Sequence, residues 1–251
     1  MNQLYLGINL AAAMFLVSGN CAAFYATGGQ VHNKNIRIVI NFPPRLIKLL
    51  GLSADQKAQL QAILRKAESA LLNVEMEKLR AMPGWQNAAM KTSIDEAAVK
   101  QRQGEVVASE AKRLQVNVEM FAQMRKVLTD EQVSRIRPEL PLENNDFVVE
   151  VRLPEGFNDI GISGEQQSRL QAMVHSREPQ MVALSRQAQA RRIALEQAIF
   201  SERFDAAAVE QRREELIAVI AKQLEVNTGI LIDARKILTA EQLKHLNELM
   251  P

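Results

Sequence analysis

The sequence predicts an all-α protein made of two tandem helical-hairpin units, and three observations carry that prediction. First, Lys126–Gln132 (KVLTDEQ) recurs as Lys236–Gln242 (KILTAEQ), 110 residues later. At the same offset Gly51–Gln56 (GLSADQ) matches Gly161–Gln166 (GISGEQ), and sliding residues 50–132 onto 160–242 without a gap makes 27 of 83 pairs identical. An internal repeat of this kind governs the fold assignment. Second, the chain is 47% hydrophobic and 24% charged, as folded proteins are, yet only 4% aromatic, which favours long helices over a β-rich core. Third, apolar residues recur at helical spacing over long stretches of both units.

Taken in order, Met1–Val31 holds no charged side chain. Leu10–Val17 is apolar, and Cys21-Ala22-Ala23 fits a small-x-small cleavage site, so residues 1–26 read as a secretory signal with the mature chain starting near Phe24 or Thr27. The rival is a retained N-terminal anchor. Met1-Asn2-Gln3 lacks Lys and Arg, and the stretch is long enough to span a membrane, although Gly7, Asn9, Ser18, Gly19 and Asn20 interrupt it. Lipid attachment at Cys21 is disfavoured by Asn20, which stands where a small residue is needed. Cys21 is the single cysteine, so a processed chain has neither a disulfide nor thiol chemistry.

The two units are residues 27–139 and 140–251. Each begins with a β-branched stretch closed by proline: Asn35–Phe42 before Pro43, and Asp146–Leu153 before Pro154. A lone strand leaves its backbone groups unpaired, so the two are expected to pair in a small ribbon. Pro44–Leu50 reads as a short helix closed by Gly51 in a left-handed cap. Ser53 opens a long helix with the stripe Leu60, Ile63, Leu64, Ala67, Leu71 and Val74, expected to stop near Pro83-Gly84 and to be followed by a short piece over Trp85–Lys91. Asp95 caps a second long helix, Glu96–Val127, with the stripe Val107, Ala111, Leu114, Val118, Phe121 and Leu128; a last short helix, Asp130–Arg137, ends at Pro138. In the second unit Pro179 is expected to kink or break the first long helix, which otherwise runs on to about Ser201 because Ile193 and Ala194 replace Pro83 and Gly84. Ala206–Ile237 carries a wider apolar band than its counterpart, with Val219 and Ile220 opposite Ser109 and Glu110.

Four positions carry the pattern Ser/Thr-x-x-Gln after an apolar residue: Leu52-Ser53…Gln56, Leu128-Thr129…Gln132, Ile162-Ser163…Gln166 and Leu238-Thr239…Gln242. This is a capping box, in which the hydroxyl accepts from the N–H three residues on and the Gln side chain accepts from the cap N–H. Leu128 and Leu238 can also staple onto Val133 and Leu243.

The order of these motifs, with Ile94-Asp95 and Phe204-Asp205 between them, resembles the Spy/CpxP family of bacterial periplasmic proteins, the LTxxQ family. The resemblance covers about Arg45–Met250 as two fused copies. It implies a cradle that single-copy members build as an antiparallel homodimer, here a single-chain pseudo-dimer, with a true homodimer as the other option. It further implies a periplasmic, ATP-independent chaperone whose partners are unfolded or partly folded envelope proteins under envelope stress. The alternative is a regulator that binds a membrane sensor kinase or an anti-sigma partner; a third reading is an interaction protein that has lost client binding.

Charge divides the units. Residues 31–139 hold 18 Lys+Arg against 12 Asp+Glu, and residues 140–251 hold 13 against 17, which favours the halves pairing with each other. Some relatives of the resembling family bind metal through clustered His, but His32, His175 and His245 form no i, i+3 or i+4 set, so no metal site is expected. No phosphate loop or nucleophile–base motif occurs, so neither a cofactor nor a catalytic site is expected. Basic pairs are interleaved with acids and lack stacking aromatics, which speaks against nucleic acid. The client-contacting residues expected from charge and adaptable apolar character are Lys112, Arg113, Met120, Met124, Arg125, Arg212, Arg213 and Lys222.

Overall fold

The computed structural model describes residues 7–8, 48–91, 93–139, 151–152 and 160–249. Residues 48–50 are helical, and Gly51 turns the chain at φ 56° into the first long helix, as Gly161 does at φ 67° in the second unit. Only glycine adopts such a φ without strain. The first unit is α1 (Ala54–Met90), α2 (Glu96–Val127) and α3 (Asp130–Ile136), followed by a 3₁₀ turn at Arg137–Glu139. The second is α4 (Gly164–Ile199), α5 (Ala206–Ile237) and α6 (Ala240–Leu249). The fold is all-α. α1 packs along α2 as one hairpin, α4 along α5 as the other, and α2 packs against α5 between them.

Two expectations are corrected. α1 does not stop at Pro83-Gly84; it runs through to Met90 and absorbs the separate piece expected over Trp85–Lys91. Proline inside a helix removes a hydrogen bond and disfavours the helical path by ~3 kcal/mol. Here the turn that follows is held by burial, because Trp85, Ala88, Ala89 and Met90 are all in the core. α4 is likewise continuous through Pro179, whose ring lies on the exposed side while Val174 and Met181 pack inward. Val151–Arg152, inside the second expected strand, pairs antiparallel with Gly7–Ile8; the expected partner, Asn35–Phe42, lies outside the described residues.

The core has two clusters, and both hairpins contribute to each. One joins Leu50, Leu60, Leu64, Phe121, Met124, Leu128 and Val133, at the cap end of the first hairpin, to Leu195, Ile199 and Phe200 at the tip of the second. The other joins the tip of the first hairpin, Trp85, Ala88, Ala89 and Met90, to Ile160, Leu170, Leu231, Leu238, Leu243 and Leu246 at the cap end of the second. Each hairpin tip is therefore buried against the other hairpin's cap end, and the two must run antiparallel.

Polar contacts follow the same rule. Arg125 donates to the carbonyls of Ser201 (2.8 Å) and Glu202 (2.9 Å) at the second tip. Arg235 donates to the carbonyl of Lys91 at the first tip. Arg125 and Arg235 are 110 residues apart, and so are Lys91 and Ser201. Equivalent groups exchange equivalent hydrogen bonds.

Candidate functional site

The repeated Gln residues do more than cap. Ser53 and Gln56, Thr129 and Gln132, and Ser163 and Gln166 form complete capping boxes, and Thr239 and Gln242 make the same two hydrogen bonds. Each Gln then spends its amide on the other motif of its own unit. Gln56 Nε2 donates to the Val127 carbonyl (2.9 Å) and to Gln132 Oε1 (2.8 Å), and Gln132 Nε2 donates to the Leu50 carbonyl (3.0 Å). In the second unit Gln166 Nε2 donates to the Ile237 carbonyl (2.9 Å) and to Gln242 Oε1 (2.7 Å), and Gln242 Nε2 donates to the Gly161 carbonyl (3.0 Å). The carbonyls at the ends of α2 and α5 are thus satisfied from the caps of α1 and α4, which clasps α1 to the α2–α3 corner and α4 to the α5–α6 corner. Spacing alone suggests the box; the clasp is visible only once the two motifs are side by side. Leu128 and Leu238 pack in the same clusters as their staple partners Val133 and Leu243, and Leu52 is buried beside Leu50 while Ile162 is half-buried.

The expected client-contacting residues are not brought together on one face. Arg113, Met120 and Met124 are corrected outright: all three are buried, at 6%, 2% and 2% exposure, and so belong to the interior of the folded chain. The methionines fill the first core cluster at helical spacing, and Arg113 is held in an ion cluster. Arg125 is committed to the second tip. Lys112 pairs with Glu77 (2.6 Å), Arg212 with Glu215 (2.9 Å) and Arg213 with Glu210. Lys222 is exposed. Among the described residues the large exposed apolar side chains are Leu49 and Phe204, so the accessible apolar surface otherwise consists of half-buried residues such as Ile63, Leu72, Val116 and Ile217.

The feature missed from sequence is a buried ion cluster between α1 and α2. Lys78 Nζ lies 2.6 Å from Glu110 Oε1, and Arg113 Nη2 lies 2.7 Å from Glu110 Oε2. Burial alone would push the Glu110 carboxyl up, but the charges of Arg113 and Lys78 and their hydrogen bonds pull it down to about 2. The signal was available: Lys78 continues the Leu71–Val74 stripe, and Glu110 lies three residues beyond Val107. A charge on an apolar stripe marks a buried partner. Among the described residues no three His, Cys, Asp or Glu side chains gather as a metal site requires, and no helix is long and apolar enough to cross a membrane.

Residues 159–244 match the heavy-metal resistance family model, a helical family related to the Spy/CpxP type. The matched span begins just before Ile162-Ser163 and ends just after Gln242, so it encloses both motifs of the second hairpin. Comparison with curated proteins and with solved structures gives no match.

Proposed function

We propose that this chain is an exported, periplasmic, ATP-independent chaperone that loosely holds unfolded or partly folded envelope proteins. In this reading it is a tandem duplication whose two hairpins form a single-chain pseudo-dimer. The observation that supports it most is the coincidence of the family match with one complete clasped hairpin, α4–α6, together with a second hairpin built on the same clasps. The reciprocal Arg125 and Arg235 contacts fit a two-fold-like pairing, in which equivalent residues face each other's partners. Half-buried apolar side chains and scattered charge suit weak, general capture better than tight binding of one ligand. The test is light scattering by several unrelated denatured proteins with the purified full chain at up to equimolar ratio. Suppression with more than one client supports the reading, and no suppression with any of them contradicts it.

The family match favours a second reading, handling of a heavy metal. Titration calorimetry of the full chain with zinc, nickel, cobalt and copper ions separates the two. The chaperone reading predicts client suppression that is unchanged by these ions or by a chelator; saturable binding of one ion, on which suppression depends, supports the metal reading.

A further inference from the structure

Four contacts between the hairpins have no equivalent on the other side. Trp85, 1% exposed, donates its indole Nε1–H to Thr228 Oγ1 at 3.0 Å; the Thr228 hydroxyl donates to the Leu224 carbonyl at 2.8 Å and lies 3.3 Å from Gln103 Oε1 of the first hairpin. The positions 110 residues away are Leu195, buried in the other core, and Val118, packed against that core, both aliphatic. Phe121 meets Phe200 edge to face at 5.9 Å between centroids, whereas the equivalent residues are Leu231 and Met90. Arg137 pairs with Glu202 at 2.7 Å, and these align with Asn247 and Thr92.

We propose that the seam between the hairpins is a selective docking surface, whose fitting partner is the opposite hairpin and not a second copy of the same one, with the Trp85–Thr228 contact as the main discriminator. The proposal rests on the two-hairpin reading above. In a pairing of two first hairpins, Trp85 faces Val118 in both cores. The buried indole N–H then loses its Thr228 acceptor twice, and the cost of removing the acceptor of a buried donor is what makes such pairings poor. In a pairing of two second hairpins, Leu195 faces Thr228, the volume of the indole is missing twice, and both cores are underpacked. Either like pairing also separates Gln103 from Thr228, Phe121 from Phe200 and Arg137 from Glu202, so only the mixed pairing keeps all four contacts. The opposite net charges of the two units act in the same direction.

The test starts from the folded full chain with a protease site inserted after Leu142. After cleavage, the two halves are unfolded together in urea, refolded by dilution and weighed by native mass spectrometry. The expected result is one half of each kind in nearly every complex. Like pairs in statistical proportion would overturn the selectivity while leaving the two-hairpin reading intact; halves that never associate would overturn that reading itself. A second protein, cleaved in the same way, carries W85L and T228V, which give both cores the same aliphatic contact. Its ratio of mixed to like pairs should fall roughly tenfold. An unchanged ratio would remove Trp85 from the role assigned to it.

Discussion

Where the first hairpin buries Lys78, Glu110 and Arg113, the second places Ala188, Ile220 and Gln223 at the matching positions. Where the second buries Arg192 and Glu196, the first has Met82 and Gln86. The caps, the Gln clasps and the tip contacts of Arg125 and Arg235 are kept in both. The frame of each hairpin is therefore set at its ends, and the layer between its two long helices can carry the Lys78–Glu110–Arg113 ions or do without them. A buried ion pair adds little net stability over a well-packed apolar layer, because desolvation offsets most of the attraction, but removing one partner from it is severe.

The largest effect is expected for E110Q, which leaves Lys78 and Arg113 buried beside a neutral amide: about 3–5 kcal/mol lost in urea unfolding. Transplanting the second hairpin's residues as K78A/E110I/R113Q should instead be neutral or stabilising by up to about 4 kcal/mol. A loss as large as that of E110Q would show that the ion cluster is part of the frame.

Acid unfolding reads the same site. The folded Glu110 carboxyl is held at about 2 against an ordinary 4.5, so its contribution is fully present above pH 4.5 and is lost as pH falls through about 2. Between those limits the wild type should lose about 3 kcal/mol more than K78A/E110I/R113Q does.

Next in size are the clasps. Q132A should cost about 1–3 kcal/mol, because it strands buried groups, and Q242A less, because that side chain is more exposed. Equal losses would mean that burial does not set the strength of the clasp. T129A and T239A should each cost about 1 kcal/mol, the smallest and most nearly matched pair.

Helix type and the bounds of α2 and α5 were legible in the sequence, since Asp95 and Asp205 cap regular apolar stripes and Leu128 and Leu238 end them at a new capping box. What was not legible depended on contacts between elements. Pro83 reads locally as a breaker, and only the burial of Trp85 and Met90 against the other hairpin keeps the helix intact. Met120 and Met124, whose helical spacing favours core over an adaptable surface, are placed in the core only once Phe200 stands beside Phe121. The reach of each Gln to the partner motif spans 76 residues of sequence and carries no local signal.

Native-state hydrogen exchange shows whether the hairpins share both cores. With shared cores, amides at Ala88–Met90 open with the same free energy and the same urea dependence as those at Leu243–Leu246, and likewise at Ile199–Phe200 and Leu128–Val133. If all of residues 54–136 opened at a lower free energy than residues 164–246, each hairpin would hold its own core and neither core would be shared.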